Sequence, residues 1–260
     1  MKRFIKNIKK YYKYAIYSAK AELKSEVADS YLNWLWWIIE PLCFMLIYTF
    51  VFGYVFKNNQ KYFSSFVFIG LTAWNFFNRM ISGSVKLIVN NRDLVTKVYI
   101  PKYILLLSKS FTYLFKMGIS LLIAFILMLF QHVPLTWHIL LFIPILIVLY
   151  IVSFGMGMIL MNLGVFFNDL YNLVNIGLKM VFYLSGVFYN IKTRLSGSLG
   201  FILLRANPIA FIMNELRKVM LNGKMFSISG LLFWFVIGIL LCAIGVHTIH
   251  KNENSYAKVI

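Results

Sequence analysis

Long apolar runs separated by short polar stretches dominate the chain. A helix needs about 20 mostly apolar residues to cross the hydrocarbon core of a bilayer. Six stretches read as such spans: Trp34–Phe56, Phe63–Val85, Tyr103–Phe130, Trp137–Leu163, Leu173–Tyr189 and Ser229–Ile249. They are unequal. The second carries Asn75, Asn78 and Arg79, and the fifth is short with Lys179 inside it. Ahead of the first span, Ile5, Ile8, Tyr12, Ile16, Ala19, Leu23 and Val27 recur at steps of three and four, with Lys6, Lys9, Lys13, Lys20 and Lys24 largely opposite. Such a basic amphipathic helix lies in the membrane interface and is held by anionic lipid. Tyr31, Trp34, Trp36 and Trp37 then mark the boundary where amphipathic rings settle.

Between the fifth and sixth spans lie two apolar runs too short to cross, GFILLR (200–205) and PIAFIMNELRKVM (208–220). In the second, Ile209, Ile212, Met213, Leu216 and Met220 share one helical face, with Asn214, Arg217 and Lys218 opposite. Either two short helices dip into the outer leaflet and return, or a loop helix lies flat on it. The expected fold class is an all-α integral membrane protein. It has an interface helix over residues 1–33 and a six-span domain over 34–260, with a cytoplasmic segment 86–102 and an outer segment 190–228.

Composition and charge set the class and the orientation. Of 260 residues, 61% are hydrophobic and 13% charged, against near half and a quarter in globular chains, and the mean hydropathy is +0.77. A soluble enzyme, a secreted disulfide scaffold and a disordered tail are thereby excluded. The net charge of +18 comes from 26 Lys and Arg against 8 Asp and Glu. On a soluble domain that excess would suggest nucleic acid; across a bilayer it sets sidedness. Segments 1–33, 86–102 and 250–260 hold fourteen Lys and Arg, whereas loops 57–62 and 131–136 hold two and none. Both termini are therefore expected in the cytoplasm. The outer segment dissents, with Lys192, Arg194, Arg205, Arg217, Lys218 and Lys224.

Much familiar chemistry is missing. There is no GxxxxGK[ST] phosphate loop, paired carboxylates, HExxH or GxSxG, so any uphill movement draws its energy from a partner or a gradient. Cys43 and Cys242 sit in apolar runs and read as small hydrophobes. His132, His138, His247 and His250 form no ligand set, and no metal is expected. The basic N-terminus runs for thirty residues before a long apolar stretch, which does not read as a signal peptide. Charges inside spans are the sharper clue, because each costs about 2.5–3.5 kcal/mol at the bilayer centre. Arg79 and Lys109 lie near the inner ends of their spans, where snorkelling accounts for them. Lys116 and Lys179 are deeper, with too few intramembrane acids to pair them, so some basic groups should face a wet cavity or bind an anion. Glu40-Pro41 in the first span marks a kink. Aromatics crowd the first, second and fifth spans (Tyr48 and Phe52, Trp74 and Phe77, Phe182, Tyr183 and Phe188 among them), and a tunnel lined by such rings would suit sugar.

The sequence resembles the membrane subunits of ABC-type exporters of lipid-linked polysaccharides, the translocators of O-antigen, capsule and teichoic acid. The resemblance spans nearly the whole chain. It rests on the basic N-terminal helix leading into YLNWLWWIIEPLCFMLIYTFVFG, on NNRDLVTKVYIPK, on GVFFNDLYNLVNIGLKMVFYLSGVFY and on LRANPIAFIMNELRKVML, in this order and spacing. It implies a homodimer in the bacterial cytoplasmic membrane joined to two copies of a separate ABC ATPase. The ATPase would bind the ATP; the chain itself would carry no cofactor and no enzymatic centre, and nucleic acid would not be a partner.

The same resemblance places ATPase coupling at Asn90, Asn91, Arg92, Asp93, Leu94 and Lys97, with a smaller contact at Phe167 and Asp169. It makes residues 198–205 and 208–220 the outer gate, with Asn207, Pro208, Phe211, Glu215 and Arg217 as its named positions. Tyr48, Phe52, Trp74, Phe77 and Tyr183 would line the tunnel, and Arg79, Lys109, Lys116 and Lys179 are the candidates for the phosphates of the lipid-linked glycan. Two rivals remain: an exporter of the same architecture for a small hydrophobic compound or lipid, and a membrane-bound sugar-modifying acyltransferase. The aromatic, acid-poor spans favour glycan over the first. The second needs a catalytic His or carboxylate within a span, and neither His132 nor His247 is so placed.

Overall fold

The computed structural model describes residues 2–28, 31–56, 60–194 and 198–259. Lys57, counted above in the first outer loop, and residues 195–197 of the outer segment lie outside that set. Every regular element among the described residues is helical, with no strand. Apolar backbone in lipid has no water to satisfy it, so a helix that pairs every N–H within itself is the structure the composition demands.

In chain order the helices are α1 (Lys2–Ala28), α2 (Trp36–Tyr48), α3 (Phe63–Val85), α4 (Leu87–Asn90), α5 (Arg92–Lys97), α6 (Tyr103–Phe130), α7 (Phe142–Phe166), α8 (Leu170–Leu184), α9 (Ile191–Arg194), α10 (Ser198–Ala206), α11 (Pro208–Met220) and α12 (Ile228–Val259). Pro41 is accommodated inside α2. The α geometry gives way further on, where α2 continues as a π-helix over Thr49–Val55, a wider winding that concentrates at functional sites.

Among the described residues four helices are long and apolar enough to cross a membrane: Asn33–Val55, Tyr103–Phe130, Trp137–Phe166 and Ile228–Glu253. The other two expected spans differ from them for separate reasons. The expected fifth span is realised as α8, 15 residues long, roughly 22 Å at 1.5 Å per residue, short of the roughly 30 Å hydrocarbon core. The expected second span is realised at full length as α3, 23 residues. It is too polar to qualify because it faces protein rather than lipid. Packed against α2, α6, α7, α8 and α11, it buries Phe66, Val67, Phe68, Ile69, Met80 and Ile81 together with Ser65, Thr72 and Ser84. Hydropathy reports what touches lipid, and the central helix touches little of it.

The bundle has two distinct ends. At one, the termini end, Arg3 of α1 meets Glu253 of α12 at 3.4 Å, and Asn7 donates to the Tyr103 hydroxyl at the start of α6 at 2.7 Å. The short α4 and α5 lie there too, together with the end of α7 and the start of α8, where Lys86 sits over the Tyr171 ring at 5.1 Å. At the far end, Ser65 at the start of α3 donates to Gln131 beyond α6 at 2.6 Å, and α11 packs against α3, α7 and the turn Trp137–Leu141. Close approach fixes the frame between the ends. A Cβ on Gly155 of α7 would meet the Cys242 backbone nitrogen of α12 at 2.8 Å, and one on Gly164 would collide with the Val85 carbonyl oxygen of α3. Small residues at such crossings let helix backbones touch where the hydrophobic effect gives no drive.

Two local expectations change. Residues 250–259, which lie beyond the expected final span, continue α12, and Asn252 and Tyr256 both donate to the Asn162 side-chain oxygen of α7, at 2.9 and 2.6 Å. In α1, the face against α6 is Phe4, Asn7, Ile8, Tyr11, Ala15, Ala19, Glu22 and Glu26, with Ala15 and Ala19 buried. The stripe of Ile5, Tyr12 and Ile16 is exposed, about a quarter turn away at 3.6 residues per turn. α1 therefore has three sectors: one on the protein, one apolar and free, one basic.

Candidate functional site

The expected coupling segment forms an exposed projection at the termini end. Asn91 interrupts the helix between α4 and α5, its side chain donating to the Leu87 carbonyl at 2.8 Å. Beyond it Arg92, Asp93, Thr96 and Lys97 are exposed, Leu94 is half-buried, and Val95 turns inward. Asp93 and Lys97 stand 4.0 Å apart, both nearly fully solvated, so the pair contributes little stability and both charges remain open to a partner. Lys102 pins the base of the projection by donating to the Val95 carbonyl at 3.3 Å. Burial pushes its pKa down, against the pull of Glu253. Phe167 and Asp169, the smaller expected contact, are exposed in the turn from α7 to α8.

The basic candidates separate into three situations. Lys109 donates to Glu22 of α1 at 2.6 Å, and the second oxygen of Glu22 accepts from Thr112 at 3.4 Å. Lys116 donates to Glu26 at 2.5 Å, and Arg79 stands 3.7 Å from Glu40. Lys179 is exposed on α8. The shortage of intramembrane acids is thus met from outside the count: Glu22 and Glu26 belong to the interface helix, which lies along α6 and brings carboxylates to its lysines. Arg79, Lys116, Glu26 and Glu40 line one cavity of about 350 Å³ with Asn75, Tyr113, Trp36 and Trp37. Two cations, two anions, an amide, a phenol and two indoles make a polar, aromatic-walled space able to receive a charged and hydroxylated group.

The five expected tunnel aromatics belong to one chain of rings. Phe52 stacks on Phe188 with centroids 4.3 Å apart, and Tyr48 meets the same ring at 4.5 Å. Phe188 leads to Phe182 at 5.3 Å, and Phe182 leads to Tyr183 and Trp74, the latter 6.0 Å from Phe77. Phe182 and Phe188 are the joints, and the sequence marked them only as two aromatics among many. Trp74 and Phe77 are buried in the chain, Tyr48 and Phe52 half-buried, and Tyr183 exposed. Trp74 and Phe77 therefore form no part of the exposed surface of this chain.

At the far end the expected gate positions lie on α11 and its cap, where Asn207, Glu215 and Arg217 each hold their own set of hydrogen bonds. Asn207 caps α11, its side-chain oxygen accepting from the Ile209 and Ala210 backbone at 3.1 and 3.3 Å, with Pro208 in the first turn where a missing N–H costs nothing. Its amide nitrogen donates to Ser185 at 2.8 Å. Phe211 is buried. Glu215, 2% exposed, accepts from Asn214 at 2.9 Å, Lys218 at 3.4 Å and the Ser227 backbone at 2.8 Å. Arg217 departs from its expected polar face. It is buried, stacked on the Phe66 ring at 3.6 Å, and donates to the carbonyls of Phe66, Gly186 and Val187 at 3.0, 2.8 and 2.7 Å. A Cβ on Gly70 of α3 would collide with the guanidinium, so Gly70 opens the slot it fills. Burial pulls the Arg217 pKa down, but three charge-assisted bonds to carbonyls keep it a cation. Among the described residues no three His, Cys, Asp or Glu side chains converge as metal ligands.

Comparison with known proteins adds a family. The model of the ABC-2 type transporter family matches residues 16–221. The O-antigen export system permease protein RfbA of Myxococcus xanthus is 26% identical over 261 residues, covering all of both chains. Two proteins of the same name from Klebsiella pneumoniae are 25% and 23% identical, each aligned over 92% of both chains.

Proposed function

The chain belongs to the ABC-2 type transporter family, and from that premise we propose that it is the permease subunit of an exporter that moves a lipid-linked polysaccharide across the bacterial cytoplasmic membrane. The observation that carries this reading is the alignment, over its whole length, with a permease named for O-antigen export.

Several features support the finer parts. With no phosphate loop in the chain, ATP hydrolysis falls to two copies of a separate ATPase, and the exposed Arg92–Lys97 projection with the Phe167–Asp169 turn supplies a surface for it. The basic residues of the termini end support a cytoplasmic position for that end and for both termini. α3 then acts as the second of six crossings and α8 together with the turn that follows it to Tyr189 as the fifth, with α10 and α11 as the outer gate. α2 exposes Leu46, Ile47, Phe50 and Tyr54, and α8 exposes Leu173, Ile176, Met180 and Tyr183. These faces suit a homodimer whose two copies enclose the glycan path. Tyr48, Phe52 and Tyr183 line it, with Trp74 and Phe77 behind. Arg79 and Lys116, in their cavity, and the exposed Lys179 offer cations to the lipid-linked phosphates; Lys109 contributes by holding α1 in place.

The test is purification of the tagged chain from its own membrane. A stoichiometric ATPase subunit should accompany it, and deletion of the chain should leave a finished glycan on its lipid carrier at the cytoplasmic face. Purification without any ATPase defeats the proposal.

A further inference from the structure

The far end holds a charge pattern that export alone does not explain. Lys61, Arg194, Arg205, Arg217, Lys218 and Lys224 lie there, while Glu215 is the one acid between residues 190 and 228. Cations on the outer side run against the bias that orients membrane proteins, so their presence asks for a task. Three of them converge. Arg217, Lys218 and Lys224 line a pocket of about 250 Å³ with Asn190, Asn214 and Asn222. Gln60 and Ser185 complete its polar wall.

The charges are not balanced within that wall. Glu215 reaches Lys218, but it projects from α11 two residues before Arg217, on another side of the helix. Arg217 bonds three neutral carbonyls. A guanidinium has five N–H donors, so two remain for the pocket. Lys224 is exposed at the rim. A buried cation that meets no carboxylate among the described residues, beside two further cations, is a socket for an anion. The amides and the Ser185 hydroxyl around it suit hydroxyl groups next to that anion.

We propose that this pocket binds a phosphate ester, with Arg217, Lys218 and Lys224 on the phosphate and the amide wall on the hydroxyls beside it. The site stands on the geometry of this chain; only the choice between its two natural sources rests on the exporter reading. Those sources share one chemistry: the phosphate of a polyprenyl carrier arriving with the glycan, and the headgroup of an anionic phospholipid.

The full chain in phosphatidylcholine nanodiscs provides the test, with the unfolding midpoint followed as sodium phosphate replaces chloride at constant ionic strength. The measurement is repeated with phosphatidylglycerol or a polyprenyl phosphate in the disc. A ligand bound only by the folded state raises the midpoint, and at least one probe should do so. The double variant Lys218→Gln/Lys224→Gln should weaken the apparent affinity by about tenfold. Lys224→Glu should do the same, at an exposed position outside the Arg217 hydrogen bonds. A response to the polyprenyl phosphate alone identifies the carrier as the source, and one to phosphatidylglycerol alone the bilayer. A wild type that answers none of the three probes overturns the site, as do variants that respond as the wild type does. The assay needs neither ATPase nor transport. Phosphate binding by a chain that copurifies with no ATPase would sink the exporter reading and leave the site standing, and the converse result would do the opposite.

Discussion

Arg217 shows how one residue can bind three separated parts of a membrane protein. Its partner Phe66 lies 151 residues away in sequence, and the bonds to Gly186 and Val187 bring in the turn after α8. All depend on the missing side chain at Gly70. Gly70→Ala should displace the guanidinium, take it from the Gly186 and Val187 carbonyls and lower stability by about 3 kcal/mol. Thermal unfolding in detergent would read this as a clear drop in midpoint, and an unchanged midpoint would show that the slot is looser than it looks. Periodicity placed Arg217 opposite Ile209, Ile212, Met213, Leu216 and Met220, which are all buried. What it missed is that α11 is enclosed on nearly every side. A helical wheel knows one helix; the neighbours α3 and α7 decided the second face. Lys109 and Lys116 were likewise legible as costly charges, while their partners Glu22 and Glu26, some ninety residues earlier, were not.

At the level of elements, α1 is the instructive case. Its amphipathic pattern was plain in the sequence, and part of the expected apolar stripe packs: Ile8 and Ala19 lie on the protein face and Leu23 and Val27 are half-buried, whereas Ile5, Tyr12 and Ile16 are exposed. Ala15 and Ala19 face α6, with the Ala15 carbonyl accepting from Ser108 at 3.2 Å, because small residues permit close approach; the bulkier Ile5, Tyr12 and Ile16 are left for lipid. The Glu22–Lys109 pair is two-thirds or more shielded at both side chains, so it should matter more than a surface pair. Glu22→Lys should undock the end of α1, at a cost of about 1–3 kcal/mol, and speed proteolysis at the lysines of that helix. Restoring the pair in reverse, Glu22→Lys with Lys109→Glu, should recover protection; a double variant no better than the single one would show that the pair is incidental. α10 and α11, by contrast, start and stop close to where the sequence put them, since Asn207-Pro208 is a local signal that needs no neighbour.

For the molecule as a whole, the legible part was its class, its helical make-up and the imbalance of charge between its ends. The central position of α3 was hidden for a physical reason: a helix surrounded by protein carries Ser65, Thr72 and Ser84, which composition scores as a poor span. The Arg92–Lys97 projection leads to the clearest global test. The Asp93 side chain is 93% exposed and its carboxylate stands 4.0 Å from the exposed Lys97, so Asp93→Lys should leave insertion and stability unchanged. It should separate ATP hydrolysis by the copurified complex from glycan export, lowering export about tenfold or more with hydrolysis retained. Export at the wild-type rate would remove this projection from the coupling surface.

The crossing at Gly164 carries one consequence beyond packing. α4 follows α3 directly and touches α7, the Val85 carbonyl rests on Gly164, and α7 runs on to meet α11 at the other end of the bundle. α12 is locked beside α7 by its own glycine seam. A push on the projection below α3 therefore meets no compliant joint before it reaches the cap of the bundle. Under the exporter reading α7 would carry such a push like a rod, and slack introduced at position 164 would be felt at the other end of that helix, at Phe142.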